Sequence, residues 1–173
     1  RGLETAVEAI ALSRSRFHLY LRGNPIPDFV ARLTELAGRW RDHVHILPMA
    51  APDQMESLAA QFDLGFVGET GHTPNRRIAL TNKQFTYMLA GLPTLFSDIP
   101  AHRALVDEFG DAGRLFACGD PQSLAAAADF YLQDETRLAR ARKTAFTLGR
   151  EGYNWETEQK VFLGKVEEAV GQA

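Results

Sequence analysis

TNKQFTYMLAGLP (residues 81–93) is punctuated as a helix at both ends. Thr81 or Asn82 can cap its start, and Gly91 followed by Pro93 stops it. The apolar run TLFS comes next and reads as a strand. A helix returning tightly into a strand is the repeating piece of an α/β fold. Its start also poses a chemical question, because a helix N-terminus exposes unsatisfied N–H groups and favours negative charge.

Working outward, the same alternation runs along the whole chain. FHLYL (17–21), HVHIL (43–47), DLGFV (63–67), PTLFS (93–97) and RLFAC (114–118) are short apolar strands. Helical spacing appears in Leu3, Val7, Ile10 and Ala11 over residues 3–14, and in Phe29, Val30, Leu33, Leu36, Ala37 and Trp40. Further helices are expected near 52–62, begun by Pro52, near 101–109, and after Asp120 and Pro121 by the cap-then-proline rule. Two more, at 134–149 and 155–170, close the chain, and 68–80 reads as a long polar loop. Short apolar strands separated by helices predict a Rossmann-like, doubly wound parallel sheet with helices on both faces. A chain that opens on a helix, in a fold whose unit is strand then helix, predicts a further strand upstream.

The 173 residues fit one domain, 1–173. A net charge of −3 argues against a nucleic-acid partner, which usually needs a basic field. No apolar run is long enough for a membrane span. The single cysteine, Cys118, cannot form an internal disulfide, suits a reducing compartment such as the cytoplasm, and is expected to be buried at a strand end.

In such folds ligands sit beyond the carboxyl ends of the strands. No GxGxxG, GxxxxGK[ST] or GxSxG motif occupies those loops; GFVGETG (65–71) has the wrong spacing. His43 and His45 share a strand face, but two histidines without a third ligand make a poor metal site, so they read as structural and no metal is expected. The loop-to-helix junction GETGHTPNRRIALTNK (68–83) carries more chemistry. Arg76, Arg77 and Lys83 gather near a predicted helix start whose dipole already repels cations, with Thr81 and Asn82 as donors. A bound diphosphate would supply the missing negative charge. Solvated loop cations with Thr81 as a plain cap account for the residues equally well, so local chemistry leaves both readings open.

NKQFTYMLAGLPTLFSD (82–98) resembles the nucleotide-sugar-binding signature of GT-B glycosyltransferases, in particular the large retaining family that includes relatives of sucrose and glycogen synthases. RGLETAVEAI (1–10), FHLYLRGN (17–24), HVHILPMA (43–50), DPQSLAAAADFYLQD (120–134) and YNWETEQKVF (153–162) resemble successive parts of that family's C-terminal domain, in order. The resemblance implies a donor diphosphate held by Lys83, Thr81, Asn82 and Arg1, beside Arg76 and Arg77. The base and ribose would lie near Gly23, Asn24, Met49, Ala50 and Thr86. It further implies glycosyl transfer from a nucleotide-diphosphate sugar, with retention and without a metal or other cofactor. The acceptor would sit on an N-terminal domain that residues 153–173 cross back to contact, and any membrane association would belong to that other domain. The upstream strand would be the first, in the middle of the sheet. This piece by itself is expected to be inactive.

Two positions depart from the pattern. Thr86 stands where the family's ribose-binding glutamate falls, and Ile78 where its partner falls eight residues earlier. Glu69 and His72 are the remaining acid–base candidates. A GT-B enzyme acting on the sugar nucleotide itself, such as a 2-epimerase, would need more carboxylates and histidines than these. A non-catalytic or signalling α/β module is the other alternative. A phospho-acceptor of that kind needs acids at the strand ends, where Arg22, Pro48, Gly68 and Asp98 stand instead.

Overall fold

The computed structural model describes residues 2 to 171, in which strands and helices alternate as the pattern predicts. The first half runs α1 (Leu3–Leu12), β1 (Leu19–Arg22), α2 (Pro27–Ala37), β2 (Val44–Leu47), α3 (Met55–Ala59) and β3 (Gly65–Val67). Then come α4 (Pro74–Ile78), α5 (Asn82–Leu89), β4 (Thr94–Ser97), α6 (Pro100–Phe109), β5 (Gly113–Phe116), α7 (Pro121–Leu132), α8 (Glu135–Glu151) and α9 (Trp155–Gly171).

All strand pairs are parallel: Leu19 lies opposite Val44, Gly65 opposite Thr94, and Thr94 opposite Gly113. The expected sheet is divided in two, with order β1-β2 in one part and β3-β4-β5 in the other. The break falls between β1 and β3, where no described strand joins the two edges. Side chains of the larger part alternate between two cores, as a doubly covered sheet requires. Leu95 and Phe116 pack with α1, α2 and α7, while Val67, Phe96 and residues of α5, α6 and α8 form the opposite core.

The opening stretch folds as its punctuation predicts at one end only. Gly91 adopts φ 68°, and two hydrogen bonds close the helix: Gly91 N–H donates to Met88 O at 2.8 Å and Leu92 N–H to Tyr87 O at 2.8 Å. This is the Schellman arrangement, and the left-handed backbone explains the glycine more directly than close packing does. At the other end Thr81 occupies the cap position without making a side-chain cap bond.

Elsewhere Asp120 and Asp134 cap α7 and α8, their carboxylates accepting from the N–H groups of Gln122, Ser123 and Arg137. Three expectations are corrected. The helix over Trp40 stops at Ala37, because Gly38 turns to φ 53° and a 3₁₀ turn, Gly38–His43, follows. The helix near 52–62 divides into a 3₁₀ turn, Pro52–Gln54, and α3. The polar loop 68–80 contains α4, started by Thr73, whose hydroxyl accepts from Arg76 N–H at 3.3 Å.

α8 holds α5 in place. A side chain at Gly149 would begin 3.0 Å from the backbone of Met88 and Leu89, so glycine there allows the two helices to approach backbone to side.

Candidate functional site

The loop leaving β3 turns Glu69 inward, and the residue is 2% exposed. A buried carboxylate needs cations or donors to offset its lost hydration. Two are supplied. Arg76 Nη1, from α4, lies 2.8 Å from Glu69 Oε2, and Lys83 Nζ, from the first turn of α5, lies 4.0 Å from Oε1. Both cation side chains remain about one-third exposed, at 34% and 37%, so they face solvent on one side and the carboxylate on the other. Arg76 and Lys83 are therefore neither free nor merely solvated: they share an internal anion.

Unsatisfied polar atoms surround this ion cluster. Glu69 Oε1, Thr81 Oγ1, both amide atoms of Gln84 and His102 Nε2 are buried without a hydrogen-bond partner. Such atoms are rare in folded proteins, and their concentration around one helix start marks a place built for polar company. His102, wholly buried on α6, was not singled out by the sequence. Its Nδ1 lies 2.8 Å from Ser97 O, which fixes that nitrogen as the donor and leaves Nε2 as an acceptor. No periodic signal betrays a lone histidine; its place in the first turn after an apolar strand was the available clue.

Burial is the main influence on His102 and lowers its pKa below 6.5; the Ser97 carbonyl and Glu69 oppose that shift, and Lys83 adds to it. Between the lowered value and 6.5 the unfolded chain therefore binds more protons than the folded one. Stability from keeping His102 neutral is complete above that window and declines as pH falls through it. Urea midpoints measured from about pH 7.5 down to about pH 5 should fall, and His102→Gln should flatten the fall. An unchanged slope in that variant would assign the effect to another group.

The remaining expected residues divide. Asn82, Lys83 and Thr86 line one cavity of about 1290 Å³, which also reaches Arg22 and Leu47 at the carboxyl ends of β1 and β2. Gly23, Asn24, Met49 and Ala50 lie just past those ends and do not line it; Met49 is 70% exposed. Gly23 continues the ladder, its N–H donating to Leu47 O at 3.1 Å, with open space where a side chain would point. Arg22 Nη1 donates to Pro48 O at 2.9 Å and ties the two strand ends together. Arg77 is exposed on α4 and does not join the Glu69 cluster. Arg1 lies outside the described residues.

The Thr86 hydroxyl donates back to Asn82 O at 3.4 Å within its own helix, and Ile78 is 71% exposed, so neither replaces a glutamate. His72 is exposed and hydrogen-bonded to Thr70 rather than to the ion cluster. His43 and His45 stack in a ladder with His18 and Tyr20, and His18 Nδ1 lies 2.8 Å from His45 Nε2. Among the described residues no group of three His, Cys, Asp or Glu is placed to hold a metal. Cys118 corrects its expectation: β5 ends at Phe116, and the thiol is exposed in the following turn, donating to Asp98 O at 3.4 Å.

The fold is a parallel α/β layering, with cations collected at one helix start beyond the strand ends. The chain belongs to the family described as glycosyl transferases group 1, whose model matches residues 1–134. Its fold is that of a GT-B glycosyltransferase domain. Anabaena Alr3699/HepE crystallised with UDP superposes with a TM-score of 0.81 at 20% identity, covering 96% of this chain and 45% of that one. The same protein with UDP-glucose gives a TM-score of 0.80. WaaG, a glycosyltransferase involved in lipopolysaccharide biosynthesis, gives 0.69 at 17% identity over 92% of this chain and 42% of that one. The chain thus spans less than half the length of these proteins. No curated protein matches its sequence. No helix among the described residues is long and apolar enough to cross a membrane.

Proposed function

We propose that this chain binds the donor of a glycosyl transfer, a nucleotide-diphosphate sugar, with its diphosphate at the start of α5. The reading is carried by Glu69, a buried carboxylate held by two cations about one-third exposed, among unpartnered polar atoms. In it Lys83 and Arg76 turn their exposed sides to the diphosphate, while the first N–H groups of α5 complete the cradle. Positive charge and helix dipole then stabilise the departing diphosphate, so that no metal is required. The acceptor is held by another domain of the same protein, and α9 is the arm that reaches it. No residue of α9 is buried, and Trp155, Phe162 and Val170 are 67%, 61% and 70% exposed. Retention of configuration follows from the family resemblance.

Titration with UDP-, GDP- and ADP-sugars, followed by calorimetry and by amide shifts, tests the reading. It expects shifts at Thr81 to Lys83 with at least one donor; a full-length protein that shows none with any diphosphate overturns it. Glu69→Gln provides a second test. The amide keeps the shape but removes a negative charge close to the incoming phosphates, so UDP binding should tighten by about three- to tenfold. Weaker binding would mean that Glu69 is needed to aim the cations.

A further inference from the structure

The core on the α5 side of the sheet ends in a polar layer. Val67 of β3, Met88 of α5 and Leu105 of α6 share that core. Glu69 lies two residues past Val67, Gln84 one helical turn before Met88, and His102 three residues before Leu105. Each step leads toward the carboxyl ends of the strands, so the three side chains gather between the apolar core and the cations. All three are inside, at 2%, 0% and 0% exposure. The His102 ring also lies 5.2 Å from that of Phe96, and the charges of Glu69 and Lys83 both act on it.

Gln84 is unusual in that layer. Glutamine is seldom wholly buried, and at the third helical position behind a threonine cap it ordinarily turns back to the cap residue's own N–H. Here neither half of that capping box forms: Thr81 makes no side-chain cap bond, and both amide atoms of Gln84 lack a partner. The unpartnered atoms complement one another instead. Gln84 Nε2 carries two hydrogens, and two buried acceptors, Glu69 Oε1 and His102 Nε2, have none to receive. Gln84 Oε1 accepts, and the Thr81 hydroxyl three residues earlier has a proton to give. No pair of these atoms is hydrogen-bonded directly, so ordered internal water is the link that satisfies them.

We infer, on the reading of α5 as the diphosphate site, that Gln84 is a positioning residue: through internal water its amide joins Glu69 Oε1 to His102 Nε2 and keeps the carboxylate back from Lys83. With Oε1 engaged from behind, the 4.0 Å separation from Lys83 Nζ is preserved, and the ammonium stays directed at the incoming phosphates. Without the amide, Glu69 has only its two cations as partners and draws Lys83 onto itself. Gln84 does not line the cavity that Asn82, Lys83 and Thr86 line, so it acts by way of Glu69 and not by contact with a ligand.

Gln84→Leu removes the amide while nearly keeping its volume, and Gln84→Met is carried in parallel so that a folding defect in one variant does not decide the result. UDP, GDP and ADP, each beside its nucleoside, are titrated by calorimetry into the full-length protein. For the diphosphate that binds, loss of the amide should weaken affinity about three- to tenfold and leave the nucleoside unchanged. In a Glu69→Gln background the same substitution should change affinity by less than about twofold, because no carboxylate remains to draw Lys83 away. Without ligand, the Gln84 side-chain NH2 should exchange with water about tenfold or more slowly than exposed amides. Fast exchange overturns the network. Binding of a diphosphate that the Gln84 variants leave untouched, or weaken equally with its nucleoside, or weaken as much in Glu69→Gln, overturns the positioning role alone. An unsubstituted protein that binds none of the three overturns the donor reading and the positioning role together.

Discussion

Lys83→Ala is expected to weaken binding of a nucleoside diphosphate by about ten- to a hundredfold while leaving affinity for the free nucleoside almost unchanged. The range follows from the ~1.5–3 kcal/mol typical of a hydrogen bond to a charged group, at ~1.4 kcal/mol per factor of ten. The geometry concentrates the loss on phosphate. Lys83 Nζ is already 4.0 Å from Glu69 and 37% exposed, so its ammonium lies at the boundary between the buried acid and the cavity. Loss of the charge leaves Arg76 alone with Glu69, and the net field at the helix start turns less favourable to an anion. Competition between UDP and uridine, each measured by calorimetry, separates the outcomes. Equal losses for the two ligands would show that Lys83 does not meet the phosphates.

Gly65→Ala is expected to give the largest loss of stability of any single methyl addition in the β3–β4 region, about 1–3 kcal/mol or more. The new Cβ would stand 2.4 Å from Tyr87 Cδ2, 2.6 Å from Cγ and 2.9 Å from Thr94 Oγ1. Cγ is the root of the ring, so turning the ring about its own axis cannot clear it; Tyr87 must leave its χ1 rotamer or α5 must move outward. The melting temperature should fall by about 2–4 °C per kcal/mol for a chain of this size. Tyr87→Ala removes the obstructing ring, so the double variant should lose less than the sum of the two single changes. Additive losses would show that the clash is relieved elsewhere.

The sequence exposed the order of elements because each carries local instructions. Asp120-Pro121 marks α7, and Gly91 marks the end of α5 in the left-handed conformation its Schellman turn needs. The same cap-then-proline signal, Thr73-Pro74, starts α4, but five residues are too few for a helical period to show. Cys118 falls outside the last strand because that strand ends two residues earlier than its apolar run suggests. Thr81 does stand at the cap position, but composition cannot show which way a hydroxyl turns, and here it is buried without a partner. Lys83 was legible from its helix start. The pairing of Glu69 with Arg76 and Lys83 was not, because it depends on a loop, a short helix and a helix start meeting in space. His102 joins them only through the packing of α6.

The close approach at Gly149 has a mechanical consequence. α5 is eight residues long, about 12 Å at ~1.5 Å per residue, and α8 touches its backbone at Met88 and Leu89, the end opposite Lys83. The helix is therefore a short lever clamped at its tail. A tilt of only about five degrees at the clamp would swing the ammonium end by about 1 Å, a displacement large enough to alter a reacting geometry. Residues of α8 at the far end of α5 thus set the direction in which the Lys83 ammonium points.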